Sequence, residues 1–287
     1  MRRSVRYLLG LTTAFVLAAC GNGESADSTA GSSTSSDATS EETLYIGMEA
    51  AYPPYNWSQQ DESNGALQIQ NSHEYANGYD VQMSKLIGEA LDRPVEIVKV
   101  EWSGLIPALQ ANKIDLVIAG MSPTKERQEA IELTESYYDA QFTMVTRVDS
   151  EYADGESIND YDGARLVGQQ GTLNYDLLNQ FPGATVEQAM NDFSAMRVAL
   201  QSRKIDAYIS EYPESVSATR AIDDLSFIEL PEGSFEMPEG TTDYLAIGIK
   251  KGNLELLEQV NEVLAGITPE ERSEMMNNAI DQQPSEQ

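Results

Sequence analysis

Arg127 is a cation placed where the local backbone does not favour one. The apolar run 116–119 ends in Gly120-Met121-Ser122-Pro123-Thr124, and the pattern beyond it is helical. Ser122 fits an N-cap and Pro123 fits the first helical position. Arg127 then lies five residues past the cap, facing the positive end of the helix dipole. A planar guanidinium suits a bidentate carboxylate. Either an anionic ligand group or a surface pair with Glu126 or Glu129 would account for it.

A second charge joins it through an internal repeat. The stretch WSGLIPALQANKIDLVIAG (102–120) recurs as FSAMRVALQSRKIDAYISE (193–211), with ALQxxKID shared without a gap. The repeat predicts two similar α/β units. It sets Gly120 opposite Glu211, both at the carboxyl end of a strand, where open α/β sheets bind ligands. If those ends face one another, Arg127 on one wall and Glu211 on the other make a complementary site for a zwitterion. Thr172, following Gly171 at the start of a helical segment, adds a backbone suited to an anion, and its hydroxyl also fits an N-cap.

The elements that must position these residues alternate. LYIGM reads as a buried strand. DVQMSKLIGEALD places Met83, Leu86, Ile87, Ala90 and Leu91 on one helical face. VEIVKV is a strand, a helix opens at Ser103, and DLVIAG is a strand before the helix after Ser122. This β-α-β-α order predicts a mostly parallel sheet with helices on both faces. Thr268-Pro269-Glu270-Glu271 is a capping box that opens a last helix.

The chain has 287 residues, with 47 Asp and Glu against 18 Lys and Arg. A net charge of −29 argues against nucleic acid and anionic membrane surfaces as partners. It either helps to attract a cation or is simply a solvated acidic surface. The one histidine, His73, sits in the polar insertion 58–77, read as a solvated loop or hairpin, and gives no metal-site spacing. There is no Gly-rich phosphate loop, no nucleophile elbow and no Ser/His/Asp set. No catalytic residue, metal or cofactor is implied.

The N-terminus reads as an export signal over 1–19. Arg2, Arg3 and Arg6 precede an apolar core (7–16) too short for a membrane span. Leu17-Ala18-Ala19-Cys20 resembles a bacterial lipobox, which makes Cys20, the only cysteine, the lipidation site. Residues 20–42 are then a flexible Gly/Ser/Thr/acid tether with a reach of roughly 25 Å.

In order along the chain stand GMEAAYPPYNW (47–57), GYDVQMSKLIGEAL (78–91), IDLVIAGMSPTKER (114–127), QQGT (169–172) and IDAYISE (205–211). With them the chain resembles the extracellular solute-binding proteins of polar amino-acid ABC importers, over roughly 43–283, and most of all Gram-positive arginine/lysine-type receptors. The resemblance implies a two-lobed clamshell of the type II periplasmic-binding-protein fold. Each lobe is a mostly parallel sheet flanked by helices, and the chain crosses between lobes twice. Lobe 1 would be 43–141 and 245–283, and lobe 2 would be 142–244.

In that family Arg127, Ser122, Gly120 and Thr172 correspond to carboxylate- and ligand-holding positions. Glu211 stands where Asp usually meets the α-ammonium. Tyr52 and Trp102 correspond to aromatics that sandwich the ligand stem, and Glu49 to an acidic position in binders of basic amino acids. Tyr55, Gln141 and Gln170 are further candidates for the pocket. The resemblance also implies a membrane-anchored, extracellular monomer working with permease and ATPase subunits. It leaves arginine, lysine, ornithine, histidine and glutamine open as ligands. Two rivals share the fold, a cyclohexadienyl dehydratase acting on prephenate or arogenate, and a sensor domain.

Overall fold

The computed structural model describes residues 42–139 and 141–284. The expected signal peptide, Cys20 and nearly all of the tether lie outside the described residues. The chain opens with β1 (Leu44–Met48), β2 (Ala51–Tyr52), β3 (Asn56–Gln59), β4 (Leu67–Gln68) and β5 (Tyr75–Asn77). Helix α1 (Tyr79–Ala90), β6 (Val95–Lys99), α2 (Leu105–Gln110), β7 (Leu116–Met121) and α3 (Lys125–Ala130) follow. Then come β8 (Ile131–Leu133), β9 (Tyr138–Asp139), β10 (Phe142–Arg147), β11 (Arg165–Val167), α4 (Leu173–Leu177) and β12 (Thr185–Val186). The rest is α5 (Phe193–Gln201), β13 (Ala207–Glu211), α6 (Tyr212–Ala221), β14 (Leu225–Glu229), β15 (Tyr244–Lys250), α7 (Leu254–Ala265) and α8 (Pro269–Gln282).

Two main sheets result, ordered β6-β1-β7-β15-β8 and β12-β11-β13-β10-β14. The expected parallel strands form one half of each: β1 pairs in parallel with β6 and β7, and β11 with β12 and β13. The other half of each is antiparallel, because β15 and β10 are the strands that arrive from the other sheet and run against their neighbours. The chain leaves the first sheet between Asp139 and Phe142 and returns after β14. The polar insertion supplies β4, β5 and the end of β3 to a small antiparallel sheet, β2-β3-β5-β4, beside the first.

The sequence repeat is a repeat of hydrogen bonds. Asn112 and Arg203 take left-handed φ of 55° and 60° after α2 and α5. Lys113 N–H then donates to the Ala108 carbonyl (2.9 Å), and Lys204 N–H to that of Ala199 (3.0 Å). Asp115 accepts the Tyr45 N–H (2.9 Å), and Asp206 accepts that of Arg165 (2.9 Å). Each aspartate thus ties the entering strand to its parallel neighbour, which explains why KID recurs. Both strands end at the same relative place, Gly120–Met121 and Glu211.

Helix α1 buries a face rotated from the expected one. Tyr79, Met83 and Ile87 are fully buried, but Leu86 is 36% exposed and Ala90 is exposed. The small residues Ser84 and Gly88 set the close side, since a Cβ on Gly88 would lie 2.3 Å from Val95. The close approach of α1 to β6 therefore overrides the hydrophobic count. Helix α8 starts as expected, with Thr268 and Glu271 capping reciprocally and Pro269 in the first turn. Among the described residues no helix is long and apolar enough to cross a membrane.

Candidate ligand-binding cleft

Arg127 is placed by a helix that starts two residues later than the spacing suggests. The N-cap of α3 is Thr124, whose hydroxyl accepts the Arg127 N–H at 3.2 Å. Ser122 cannot serve, because its carbonyl takes Arg127 Nη1 (2.6 Å) and that of Pro123 takes the Thr242 N–H (3.2 Å). The ladder therefore begins at the Thr124 carbonyl, which accepts Gln128 N–H. The Arg127 side chain is 8% exposed, so the reading as a surface pair does not hold. Nη2 donates to the Gly171 carbonyl at 2.9 Å, and the guanidinium lies 5.1 Å over the Trp102 ring. Burial lowers its pKa to about 10, which leaves it charged at neutral pH.

Glu211, at the end of β13, is 3% exposed. The Tyr52 hydroxyl and Asn174 Nδ2 (2.8 Å) donate to its two oxygens. Burial pushes its pKa up, and those two hydrogen bonds act against the rise. The Tyr52 ring is stacked between Tyr55 (4.8 Å) and Phe193 (4.4 Å), so aromatics of the two halves meet at this point. Thr172 caps α4: its hydroxyl accepts the Tyr175 N–H (3.2 Å) and donates to the Gln169 carbonyl (2.8 Å).

Tyr52, Trp102, Gly120, Ser122, Arg127, Thr172 and Glu211 line one cavity of about 20 Å³. The eighth candidate, Glu49, lines a neighbouring recess of about 250 Å³ with Glu101, Gln170 and Asp192. Trp102 faces both. Gln169 stands between them, lining the cavity while its amide donates to both Glu49 oxygens (2.9 and 3.1 Å) and to the Asn191 carbonyl (2.9 Å). Burial raises the Glu49 pKa to about 7; Asp192 and Glu101 add to the rise, and Gln169 and the Trp102 N–H oppose it. Tyr55 is fully buried behind Tyr52 rather than lining the cavity. Gln141 pairs with Glu229 (3.0 Å) beside a different hollow.

The strand-end cleft thus holds a buried cation on one side and a buried carboxylate on the other. Residues 44–279 match the bacterial extracellular solute-binding proteins, family 3. The chain belongs to that family. It is 25% identical over 267 residues to the arginine-binding extracellular protein ArtP of Bacillus subtilis, covering 92% of each chain. It is 28% identical over 229 residues to a probable histidine-binding protein of Campylobacter jejuni, covering 76% of this chain and 80% of that one. A mutant of arginine-bound ArgBP from T. maritima has a TM-score of 0.64 at 26% identity, over 80% of this chain and 98% of the other.

In this solute-binding protein, five further residues line the cavity that the sequence did not mark as candidates: Ala119, Gln169, Leu173, Asn174 and Phe193. Ala119 directly precedes Gly120, Gln169 opens the QQGT motif, and Leu173 and Asn174 directly follow it. Phe193 was visible in the repeat, where it aligns with Trp102. Gly120 is fixed by conformation and by space. Its φ is +65°, and a Cβ would lie 2.7 Å from Tyr52 Cε1. The stacked ring has little freedom to move away. Gly120→Ala is expected to destabilise the solute-binding protein by about 1–3 kcal/mol in urea denaturation. A loss below about 0.5 kcal/mol would show that the Tyr52 stack yields easily.

Proposed function

We propose that this solute-binding protein is the receptor of an amino-acid ABC importer, taking a basic L-amino acid, arginine or lysine. The observation that carries the reading is that Arg127 and Glu211 reach one cavity from opposite sheets. Arg127 takes the α-carboxylate, aided by Ser122 and Thr172, and Glu211 takes the α-ammonium. Tyr52 and Trp102 flank the aliphatic stem, and Glu49 is the counter-ion for the distal cation. The cavity has room for roughly one water molecule, so a ligand is admitted only when the halves separate. The sheet memberships support lobes of 43–141 plus 245–283 and 142–244, hinged at the two crossings. The closed, loaded monomer is what the permease and its ATPase would recognise. Cys20 anchors it by lipid to the outer face of the membrane, with 20–42 as the tether.

The second reading, a neutral ligand such as glutamine, is favoured by Glu49 already having an amide partner in Gln169. Titration separates the two. Burial in the closed cleft raises the Glu49 pKa to about 7. A bound cation stabilises the ionised carboxylate and lowers that pKa, so binding releases a proton. Affinity for arginine therefore rises with pH up to about 7 and levels off above it, at no more than tenfold per unit. Calorimetry from pH 5.5 to 8.5 is expected to show a steeper rise for arginine than for glutamine, because the raised pKa of Glu211 acts on both ligands alike and only arginine adds the Glu49 contribution. Glu49→Gln brings the arginine profile down to the slope of glutamine. A wild-type arginine profile no steeper than that of glutamine removes Glu49 as counter-ion, and tight glutamine binding alone establishes the second reading. If none of the twenty amino acids raises the melting temperature, the receptor assignment itself falls.

A further inference from the structure

The turn that carries Gly120 is tied to a fully buried chain of polar groups behind the cleft. Gly120 N–H donates to the Tyr137 hydroxyl at 2.8 Å, and that hydroxyl donates to Asp80 Oδ1 at 2.9 Å. Asp80 Oδ2 accepts Asn56 Nδ2 at 2.7 Å. Tyr137, Asp80 and Asn56 have no exposed surface. Tyr137 is also bound at its backbone. Its N–H donates to the Leu245 carbonyl (2.9 Å), and its own carbonyl accepts the Tyr79 hydroxyl (2.7 Å). The next residue, Tyr138, pairs with Leu245 in register. These are the segments by which the chain leaves for the second sheet and returns from it.

We propose that Tyr137 is the positioning residue that sets the Gly120 turn for the ligand and ties it to the crossing between sheets. This inference rests on the reading that the Gly120 turn helps to hold an amino acid. The chemistry is directional. The phenol keeps its proton, because burial and the neighbouring Asp80 carboxylate hold its pKa far above the ordinary tyrosine range. That proton goes to Asp80, so a lone pair is left for the Gly120 N–H. The Gly120 N–H is thereby fixed away from competing partners, in a left-handed turn that side chains avoid. A phenylalanine has the same shape and lacks only the linking oxygen. It leaves the Gly120 N–H and Asp80 without their shared partner.

Amide hydrogen exchange without ligand and calorimetry with L-arginine and L-glutamine test this together. In the wild-type chain the Gly120 amide is expected to exchange at least a hundredfold slower than an unstructured glycine. Random-coil exchange there overturns the proposal, whatever any variant does. In Tyr137→Phe, Gly120 is expected to exchange at least tenfold faster while Val117 and Ile118 keep their rates, and affinity for the amino acid that wild type binds falls at least tenfold. Asp80→Asn, which keeps an acceptor oxygen beside the hydroxyl, is expected to stay within threefold of wild type. Faster exchange with affinity within twofold of wild type overturns the positioning role and leaves the receptor reading intact. Unchanged Gly120 exchange in Tyr137→Phe overturns it too. A wild type that takes no amino acid overturns both it and the receptor reading.

Discussion

Arg127→Ala is expected to abolish measurable amino-acid binding while the chain stays folded. A ligand carboxylate drawn into this cleft leaves water and needs a partner there. Arg127 supplies a guanidinium that is itself buried and held by Ser122 and Trp102. Removing one member of such a buried pair leaves the other charge unmet, a loss of about 3–5 kcal/mol. At about 1.4 kcal/mol per tenfold, that is at least a hundredfold in Kd. Folding should lose about 1–3 kcal/mol at most, because the buried Ser122 carbonyl gives up Arg127 Nη1 while the Gly171 carbonyl keeps the Trp102 Nε1–H at 3.1 Å. Calorimetry with the amino acid that wild type binds, together with a melting curve for each protein, makes the comparison. Affinity within threefold of wild type would remove Arg127 from the site.

Glu211→Gln is expected to act in opposite directions on binding and on stability. For binding, the substitution keeps the shape but removes the negative charge proposed to meet the α-ammonium. Losing one partner of a desolvated charge pair weakens binding by about 2–5 kcal/mol. For folding, the sign is reversed. The carboxyl pKa is raised in the folded chain, chiefly by burial. The unfolded chain therefore gives up its proton at lower pH, and this group makes the fold less stable as pH rises above its unfolded value. A neutral amide avoids that penalty, so the melting temperature of Glu211→Gln should exceed wild type at pH 7 to 8, and the gap should shrink toward pH 4. A variant that melted lower at every pH would mean that the bonds from Tyr52 and Asn174 outweigh the desolvation. Unchanged affinity would place the ammonium elsewhere. A site that is strained without its ligand and relieved by substitution is a recurrent sign of function taken at the expense of stability.

What was legible in the sequence was local. Hydrophobic periodicity, the 268–271 capping box and the ungapped ALQxxKID repeat each depend on residues a few positions apart. They gave the α/β units, the parallel half of each sheet and the carboxyl ends where Gly120 and Glu211 lie. Local rules misjudged α3 and α1 for different reasons. At α3, carbonyls 122 and 123 are taken by Arg127 and Thr242, so the cap moves to Thr124. At α1, the close approach of Gly88 to Val95 rotates the buried face.

The sequence by itself thus determined the repeated unit, the candidate ligand groups and the order in which the chain supplies them. Only the tertiary structure decided which of them share a cavity and with whom they bond. Tyr52 meets Glu211 across 159 residues, Gln169 meets Glu49 across 120, and Arg127 meets the Gly171 carbonyl across 44. No spacing rule reaches that far, because such contacts depend on how two sheets are set against each other. The same long-range packing put Glu49 in a recess beside the cavity rather than in it. It also buried Glu49 deeply enough to bring its pKa near neutrality, since desolvation is a property of everything packed around a group and not of its neighbours in the chain.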